Sequence, residues 1–215
     1  LIGLLGLIVV TLLVARWAAR DPWNAELVPV LLFGQIIAIV YNRELALLFS
    51  GIVALLTAIA LGLGLSEFLV LFGVSATVVL QLTHIRSRNK LIVVGISSGL
   101  AAAGLTLAAA VIDEQPFGWP LAVDAARHAG LTLAAGFLMT GLLPFIERIF
   151  GVLTDIRLLD LGDVAHPLLQ ELIRRAPSTY NHSITVGSIA EAAAEAIGAR
   201  GLLVRVGAYF HDIGK

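Results

Sequence analysis

The sequence predicts an all-α protein in which a polytopic transmembrane helical bundle is followed by a shorter helical segment outside the membrane. The chain is 59% hydrophobic and only 13% charged, and its mean hydropathy of +0.96 is too high for an ordinary soluble globule. Long uncharged runs recur up to about residue 150, and no strand pattern appears. Residues 1–150 hold eight basic and eight acidic residues, whereas the last 65 residues hold six and seven. This shift predicts a boundary near Gly151.

Six apolar runs are candidates for crossing the lipid bilayer, because ~30 Å of hydrocarbon requires roughly 20 helical residues. The first two are short, although Trp17 and Trp23 beside them are typical of the headgroup boundary. Gly95 and Gly99, one turn apart, predict close packing of two helices. We therefore expect about six spans within residues 1–150. The runs cover approximately residues 1–15, 27–41, 45–65, 68–85, 91–112 and 129–146.

The loops predict the orientation of these spans. The basic segment RSRNK indicates the cytoplasmic side, and the acidic segment DEQPFGWP indicates the outside. One further crossing then leaves everything after about residue 146 in the cytoplasm. Arg16 and Arg20 fall on the outer side in this scheme, against the usual preference for positive residues inside. The topology of the first spans is therefore left open.

Composition and membrane-depth residues exclude or disfavour several function classes. A net charge of −1 and the lack of a basic block predict no binding to nucleic acid. The chain has no cysteine, so any metal ligands must be histidines and carboxylates. Gln35, Gln81 and His84 are polar residues at or near membrane depth, but they form no acid–base pairs along one helix. A transporter is therefore disfavoured.

Three helices are predicted after a connector at residues 151–165 that packs against the following segment. The first begins in HPLLQELIRR with Pro167 in its first turn. The second extends from about Thr179 to a C-terminal cap at Gly198. The third lies in GLLVRVGAYFHDIGK, where apolar residues recur at helical spacing.

A His-Asp pair, His211 and Asp212, closes the third helix. Such a dipeptide alone is common as a hydrogen-bonded surface pair. Here His182 lies 29 residues upstream on another helix, and an antiparallel helix pair could bring its imidazole to the same point. Gly214 and Lys215 follow directly, which allows close backbone approach and places a cation near any phosphate. These features favour a functional site over a surface pair.

The last 50 residues, HPLLQELIRRAPSTYNHSITVGSIAEAAAEAIGARGLLVRVGAYFHDIGK, resemble the opening of the HD-domain phosphohydrolases. The resemblance is to the membrane-anchored, seven-transmembrane HD family, which includes bacterial cyclic di-AMP phosphodiesterases. FIERIFGVLTDIRLLDLGD is similar to that family's junction between membrane bundle and catalytic domain. The resemblance implies a multi-pass protein of the bacterial cell membrane. In it, residues 166–215 form the N-terminal part of a cytoplasmic HD domain, here truncated.

The resemblance also implies roles for individual residues. His182 corresponds to the first metal ligand, and His211 with Asp212 to the pair that names the domain, with Asp212 able to bridge two ions. Lys215 corresponds to a lysine that contacts substrate phosphate. Relatives often have His-His where this chain has Asn181-His182, and the first of the two is not the ligand. The resemblance implies two divalent ions, and imidazole with carboxylate suits Mn²⁺ or Fe²⁺, while Zn²⁺ also fits these ligand types.

The implied function is a metal-dependent phosphodiesterase that hydrolyses a cyclic dinucleotide, above all cyclic di-AMP, in the cytoplasm. Two ions ~3.5–4 Å apart would hold the phosphodiester and activate a bridging water. Three ligands are too few for such a site, so we expect residues 1–215 alone to bind metal poorly and to be inactive. The alternative is a membrane signal-relay protein with a non-catalytic HD domain. The oligomeric state and the extracellular signal are left open.

Overall fold

The all-α prediction is confirmed by the fold. A computed structural model describes residues 2–20, 23–82 and 88–214, and within these ranges it contains ten α-helices and no strand. The described residues group into two compact units. One comprises residues 2–82 and 88–152, and the other comprises residues 153–214.

Six helices form the first unit, one for each apolar run. Within the described ranges, α3, most of α5 and α6 are long and apolar enough to cross a bilayer. The other three helices have 14 to 17 residues, fewer than the roughly 20 that a perpendicular span requires. The number of spans therefore stays a prediction. The helices are α1 (Ile2–Ala18), α2 (Leu27–Val40), α3 (Arg43–Leu61), α4 (Leu65–Gln81), α5 (Arg88–Ile112) and α6 (Trp119–Phe150).

Local capping sets several helix ends in this unit. The side chain of Asn42 accepts a hydrogen bond of 2.8 Å from the backbone N–H of Leu45 and begins α3. Gly62, with φ of 69°, ends it in the left-handed region. The Glu67 carboxylate accepts a hydrogen bond of 2.9 Å from the N–H of Gly64 and so caps the N-terminus of α4. The helix ends thus follow capping side chains and left-handed glycine rather than the limits of the apolar runs.

Helix α6 is ten residues longer at its N-terminus than the predicted span at 129–146. It has 32 residues and begins after Gly118, with a proline in its first turn. The added turns carry charge, but Arg127 pairs with Asp124 at 3.4 Å. His128 also lies 2.9 Å from the hydroxyl of Thr106. Because these polar groups are paired, the helix continues beyond the apolar run.

The predicted close packing at Gly95 and Gly99 is confirmed. A Cβ on Gly99 would lie 3.0 Å from the carbonyl oxygen of Ala129 on α6. A Cβ on Gly136 would likewise lie 3.0 Å from the Cα of Gly95. Small residues therefore let α5 and α6 approach backbone to backbone.

Gln81, one of the polar residues at membrane depth, forms hydrogen bonds that link two packed helices. Its amide donates to the hydroxyl of Ser98 at 3.1 Å, and its carbonyl oxygen accepts from Ser97. Gln35 is 2% exposed in the interior of the first unit. His84 lies outside the described residues. The bonded amide of Gln81 acts as a link between α4 and α5.

The second unit contains α7 (Asp155–Leu161), α8 (Pro167–Arg175), α9 (Pro177–Ala196) and α10 (Gly201–Phe210). Helix α8 begins at Pro167 and Gly198 follows α9 with φ of 72°, both as predicted. Helix α7 lies in the segment predicted as a connector, and it buries Leu158 against Leu202 and Val206 of α10. Seven residues are too few to show a clear helical period, so the sequence pattern missed this helix.

Candidate metal centre

Helices α9 and α10 pack antiparallel and in close register. Near the middle of the pair, Nη1 of Arg205 lies 2.8 Å from Oε2 of Glu191. One turn closer to the end of α10, Gly187 lies against the ring of Tyr209. Continuing the register toward the N-terminus of α9 places His182 beside the residues that follow Phe210. The antiparallel pairing of α9 and α10 therefore brings His182 and His211 close together.

Gly187 lies at a close approach of α9 to α10. A Cβ there would lie 2.7 Å from Cε1 of Tyr209 and 3.3 Å from the carbonyl oxygen of Arg205. We expect Gly187→Ala to destabilise the folded state by about 1–3 kcal/mol, because either the ring or the helix must shift. Denaturant unfolding of the chain in detergent, followed by circular dichroism, measures this.

Gly207 on α10 supplies the matched control for that change. Among the described residues, no atom lies within 4 Å of a Cβ built there. Gly207→Ala should therefore stabilise the helix by about 0.5–1 kcal/mol. Equal shifts of the unfolding midpoint in the two variants would show that Gly187 is not a packing contact.

His182, His211 and Asp212 lie together at the end of the α9–α10 pair. The imidazole centroids are 5.7 Å apart with their planes at 48°. One ligand atom from each of the three residues lies within 4.8 Å of the other two. Ligand bonds of ~2.0–2.2 Å to one ion place ligand atoms roughly 3–4.4 Å apart. The observed separation is close to that requirement.

The hydrogen bonding of His211 prepares it as a ligand. Its Nδ1 lies 2.7 Å from the carbonyl oxygen of Ala208. A carbonyl only accepts, so Nδ1 carries a proton, and in the neutral imidazole Nε2 then carries the lone pair that a metal requires. This backbone contact is the usual way in which a protein orients a metal-binding imidazole.

The lone pair of His211 faces the neighbouring carboxylate. Nε2 lies 3.4 Å from Oδ1 of Asp212, and the two side chains are 38% and 12% exposed. In the neutral imidazole with its proton on Nδ1, both atoms are acceptors and repel each other. A divalent cation bound to both would convert this repulsion into attraction, so the donor set suits a metal ion.

Phe210 connects the site to the interior of the second unit. It packs against the cluster of Leu158, Leu202 and Val206, and the ring of His166 meets it edge-on at 5.6 Å. Within the described part of the chain, the buried Nδ1 of His166 has no hydrogen-bond partner. Sequence reasoning did not single out His166, because only the tertiary contact with Phe210 relates it to the site.

The structure thus places three of the four predicted site residues side by side. His182 and His211 are exposed and Asp212 is largely buried, so solvent reaches the imidazoles while the carboxylate lies mostly inside. Lys215 lies outside the described residues. The role of all four as ligands or substrate contacts stays a prediction.

Comparison with known proteins supports this picture. Residues 1–154 match the family model described as 7TM receptor with intracellular HD hydrolase. Residues 179–215 match the HD domain model, which includes His182, His211 and Asp212. HD phosphohydrolase domains depend on divalent metals in general. No solved structure is significantly similar to the chain.

Three relatives are similar over most of this chain. Cyclic-di-AMP phosphodiesterase PgpH of Bacillus subtilis is 33% identical over 88% of the chain and 28% of that protein. The protein of the same name from Listeria monocytogenes is 38% identical over 71% and 21%. An uncharacterized Synechocystis protein is 33% identical over 78% and 22%.

The chain spans between a fifth and a third of the length of these relatives. The family model nevertheless covers all of the first helical unit, and the HD model continues to the last residue of the chain. The resemblance seen in the sequence is thereby confirmed. The chain belongs to the family of seven-transmembrane receptors with an intracellular HD hydrolase.

Proposed function

We propose that the chain is part of a membrane-anchored, metal-dependent phosphodiesterase that hydrolyses cyclic di-AMP in the cytoplasm. The observation that carries this proposal is the convergence of His182, His211 and Asp212 within 4.8 Å. Two relatives are named as cyclic-di-AMP phosphodiesterases, which supports the choice of substrate. Cyclic dinucleotides contain the phosphodiester bonds that a two-metal site cleaves.

In this proposal the chain's own residues hold and orient the metal. The two imidazoles contribute nitrogen ligands and Asp212 contributes oxygen, a set that favours Mn²⁺ or Fe²⁺. Two bound ions would polarise the phosphodiester and lower the pKa of an attacking water. Ala208 holds His211 in the ligand tautomer through its carbonyl oxygen. Lys215 is proposed to contact a substrate phosphate.

The proposed organisation follows the charge pattern. Residues 1–150 form the bundle in the bilayer with about six spans. Residues 151–165 connect this bundle to residues 166–215, which form the N-terminal part of the HD domain. The basic segment at residues 86–90 supports a cytoplasmic position for the C-terminal end of α6. Cyclic dinucleotide would thus meet the site in the cytoplasm.

The direct test is hydrolysis by the purified full-length protein in detergent with Mn²⁺ added. We expect cyclic di-AMP to be cleaved, EDTA to abolish cleavage and Mn²⁺ to restore it. Faster cleavage of cyclic di-GMP than of cyclic di-AMP would show that cyclic di-GMP is the preferred substrate. Metal binding without cleavage of either dinucleotide would favour the signal relay with a non-catalytic HD domain.

The 215-residue chain by itself is expected to bind Mn²⁺ weakly and to show no measurable hydrolysis. Two ions with near-octahedral coordination require more protein ligands than the three groups assembled here. Isothermal titration with Mn²⁺ and a chromatographic assay for the linear product measure both properties. Metal-dependent turnover by this chain would show that the three groups suffice.

A further inference from the structure

A cavity of about 530 Å³ opens at one end of the first unit. It lies where α1, α3 and α5 end and where α2, α4 and α6 begin. Its volume falls within the range of small-molecule sites, roughly 300–1,000 Å³. In the predicted orientation this is the outer end of the bundle, the end that carries Asp113 and Gln115.

Charged side chains of both signs line this cavity. Among the described residues, three arginines and four carboxylates contribute to its wall, together with His128. The first unit has few ionisable residues overall, so their concentration in one concave site is unusual for an apolar bundle. Ionisable groups in membrane proteins that face an internal cavity typically mark a ligand or ion site.

Part of the wall is held in place by an ion pair and by hydrogen bonds. Nη2 of Arg127 lies 3.4 Å from Oδ1 of Asp124. The Thr106 hydroxyl donates to the carbonyl oxygen of Ala102 at 2.8 Å, so the Nδ1 of His128, at 2.9 Å, donates to that hydroxyl. This arrangement leaves Nε2 of His128 as an acceptor.

Glu26 is the group in the wall that needs a ligand. Its Oε2 is buried, and among the described residues no group donates a hydrogen bond to it. Burial raises the pKa of the Glu26 carboxyl, and a backbone hydrogen bond at Glu26 and the nearby Arg127 offset this only in part. A buried carboxylate oxygen without a donor costs free energy, which an ammonium group in the cavity would recover.

We propose that this cavity binds a small zwitterion, with its ammonium group at Glu26 and its carboxylate at the arginines. A ligand of one charge would pair with half of the wall and face like charge on the other half. A zwitterion matches both signs, and the cavity volume admits a free amino acid or a dipeptide. This site is separate from the candidate metal centre, because all of its lining residues belong to the first unit.

The test is binding to the full chain in lipid nanodiscs, with the common free L-amino acids and L-alanyl-L-alanine as probes. Thermal shift screens the panel, and isothermal titration measures the Kd of the best probe. We expect saturable binding for at least one probe, and at least about 10-fold weaker binding after N-acetylation or C-terminal amidation of that probe. Absence of saturable binding across the panel at ~10 mM, or equal binding of a blocked form, would overturn the proposal.

Glu26→Gln separates a ligand contact from a structural role. We expect it to weaken binding at least about 10-fold. Because burial raises the pKa of this carboxyl, its ionised form costs stability at neutral pH. The neutral amide should therefore leave the Tm unchanged or raise it.

Glu114→Gln is the matched control, since Glu114 lies between two lining residues but outside the cavity wall. It should change neither binding nor Tm. If Glu26→Gln lowered the Tm and left binding intact, Glu26 would be a structural residue and the assignment would fail. These experiments measure ligand binding and Tm, and they do not measure hydrolysis at the metal centre. The zwitterion site and the proposed phosphodiesterase activity can therefore fail independently.

Discussion

Asp212→Ala is expected to abolish hydrolysis of cyclic di-AMP by the full-length protein, with kcat reduced at least about 10³-fold. Asp212 supplies the carboxylate of the candidate centre, and its side chain is only 12% exposed. Removing it leaves two imidazoles without the negative charge that attracts a divalent ion. Loss of metal-derived stabilisation of several kcal/mol corresponds to a rate effect of this size. Steady-state kinetics with saturating Mn²⁺ measure kcat, and plasma emission spectrometry measures bound metal.

Asp160→Asn provides the control for that experiment. Asp160 is an exposed carboxylate of the same unit, on α7, and it is not one of the three clustered groups. Its replacement should change kcat less than about twofold, because exposed charges at a distance contribute little. If Asp212→Ala kept normal activity and metal content, the carboxylate would not be a ligand and the site assignment would be wrong.

Most of the fold could be predicted from sequence because apolar runs dominate the first unit. Each of the six runs corresponds to one helix, since backbone groups in an apolar environment must bond internally. The predictions were less accurate where polar groups pair across helices. Helix α6 continues through Asp124, Arg127 and His128 because these residues find partners, and their pairing is invisible in a single sequence.

The residues of the candidate metal centre could be predicted from the sequence, but their hydrogen bonding could not. The spacing of His182 from His211 on two adjacent helices indicated that their side chains could meet, and the rings are 5.7 Å apart. The bond from His211 to Ala208, which decides the tautomer, depends on the turn after α10. The cavity at Glu26 combines five helices and their connections, so no local pattern could reveal it.

The two units place different demands on their polar residues. In the first unit, Gln81 and Thr106 are bonded to neighbouring helices or to their own backbone, which stabilises an apolar interior. In the second unit, the imidazoles of His182 and His211 are exposed and close together. Contacts between exposed ionisable side chains contribute little stability, so the clustering of these groups is better explained by a ligand than by folding.

His182→Ala should weaken Mn²⁺ binding by the full-length protein by about 10²-fold or more, because even outer-shell partners of metal ligands contribute 10–100-fold to affinity. His182 and His211 come from separate helices, so loss of one leaves the other and Asp212 in place. We therefore expect hydrolysis to fall steeply at micromolar Mn²⁺ and to recover in part at millimolar Mn²⁺. Asp212→Ala should show no such recovery, since the charge that holds the ion is gone.

Asn181→Ala tests whether this effect belongs to the imidazole or to the start of α9. Asn181 is the exposed residue next to His182, and only its backbone carbonyl takes part in the hydrogen bond from Thr185. Its replacement preserves that bond and should leave the Mn²⁺ affinity within about threefold of the starting value, as for other surface changes. Equal losses in the two variants would mean that α9 has shifted as a whole. A loss confined to His182→Ala, with recovery by added metal, is the behaviour of a direct ligand.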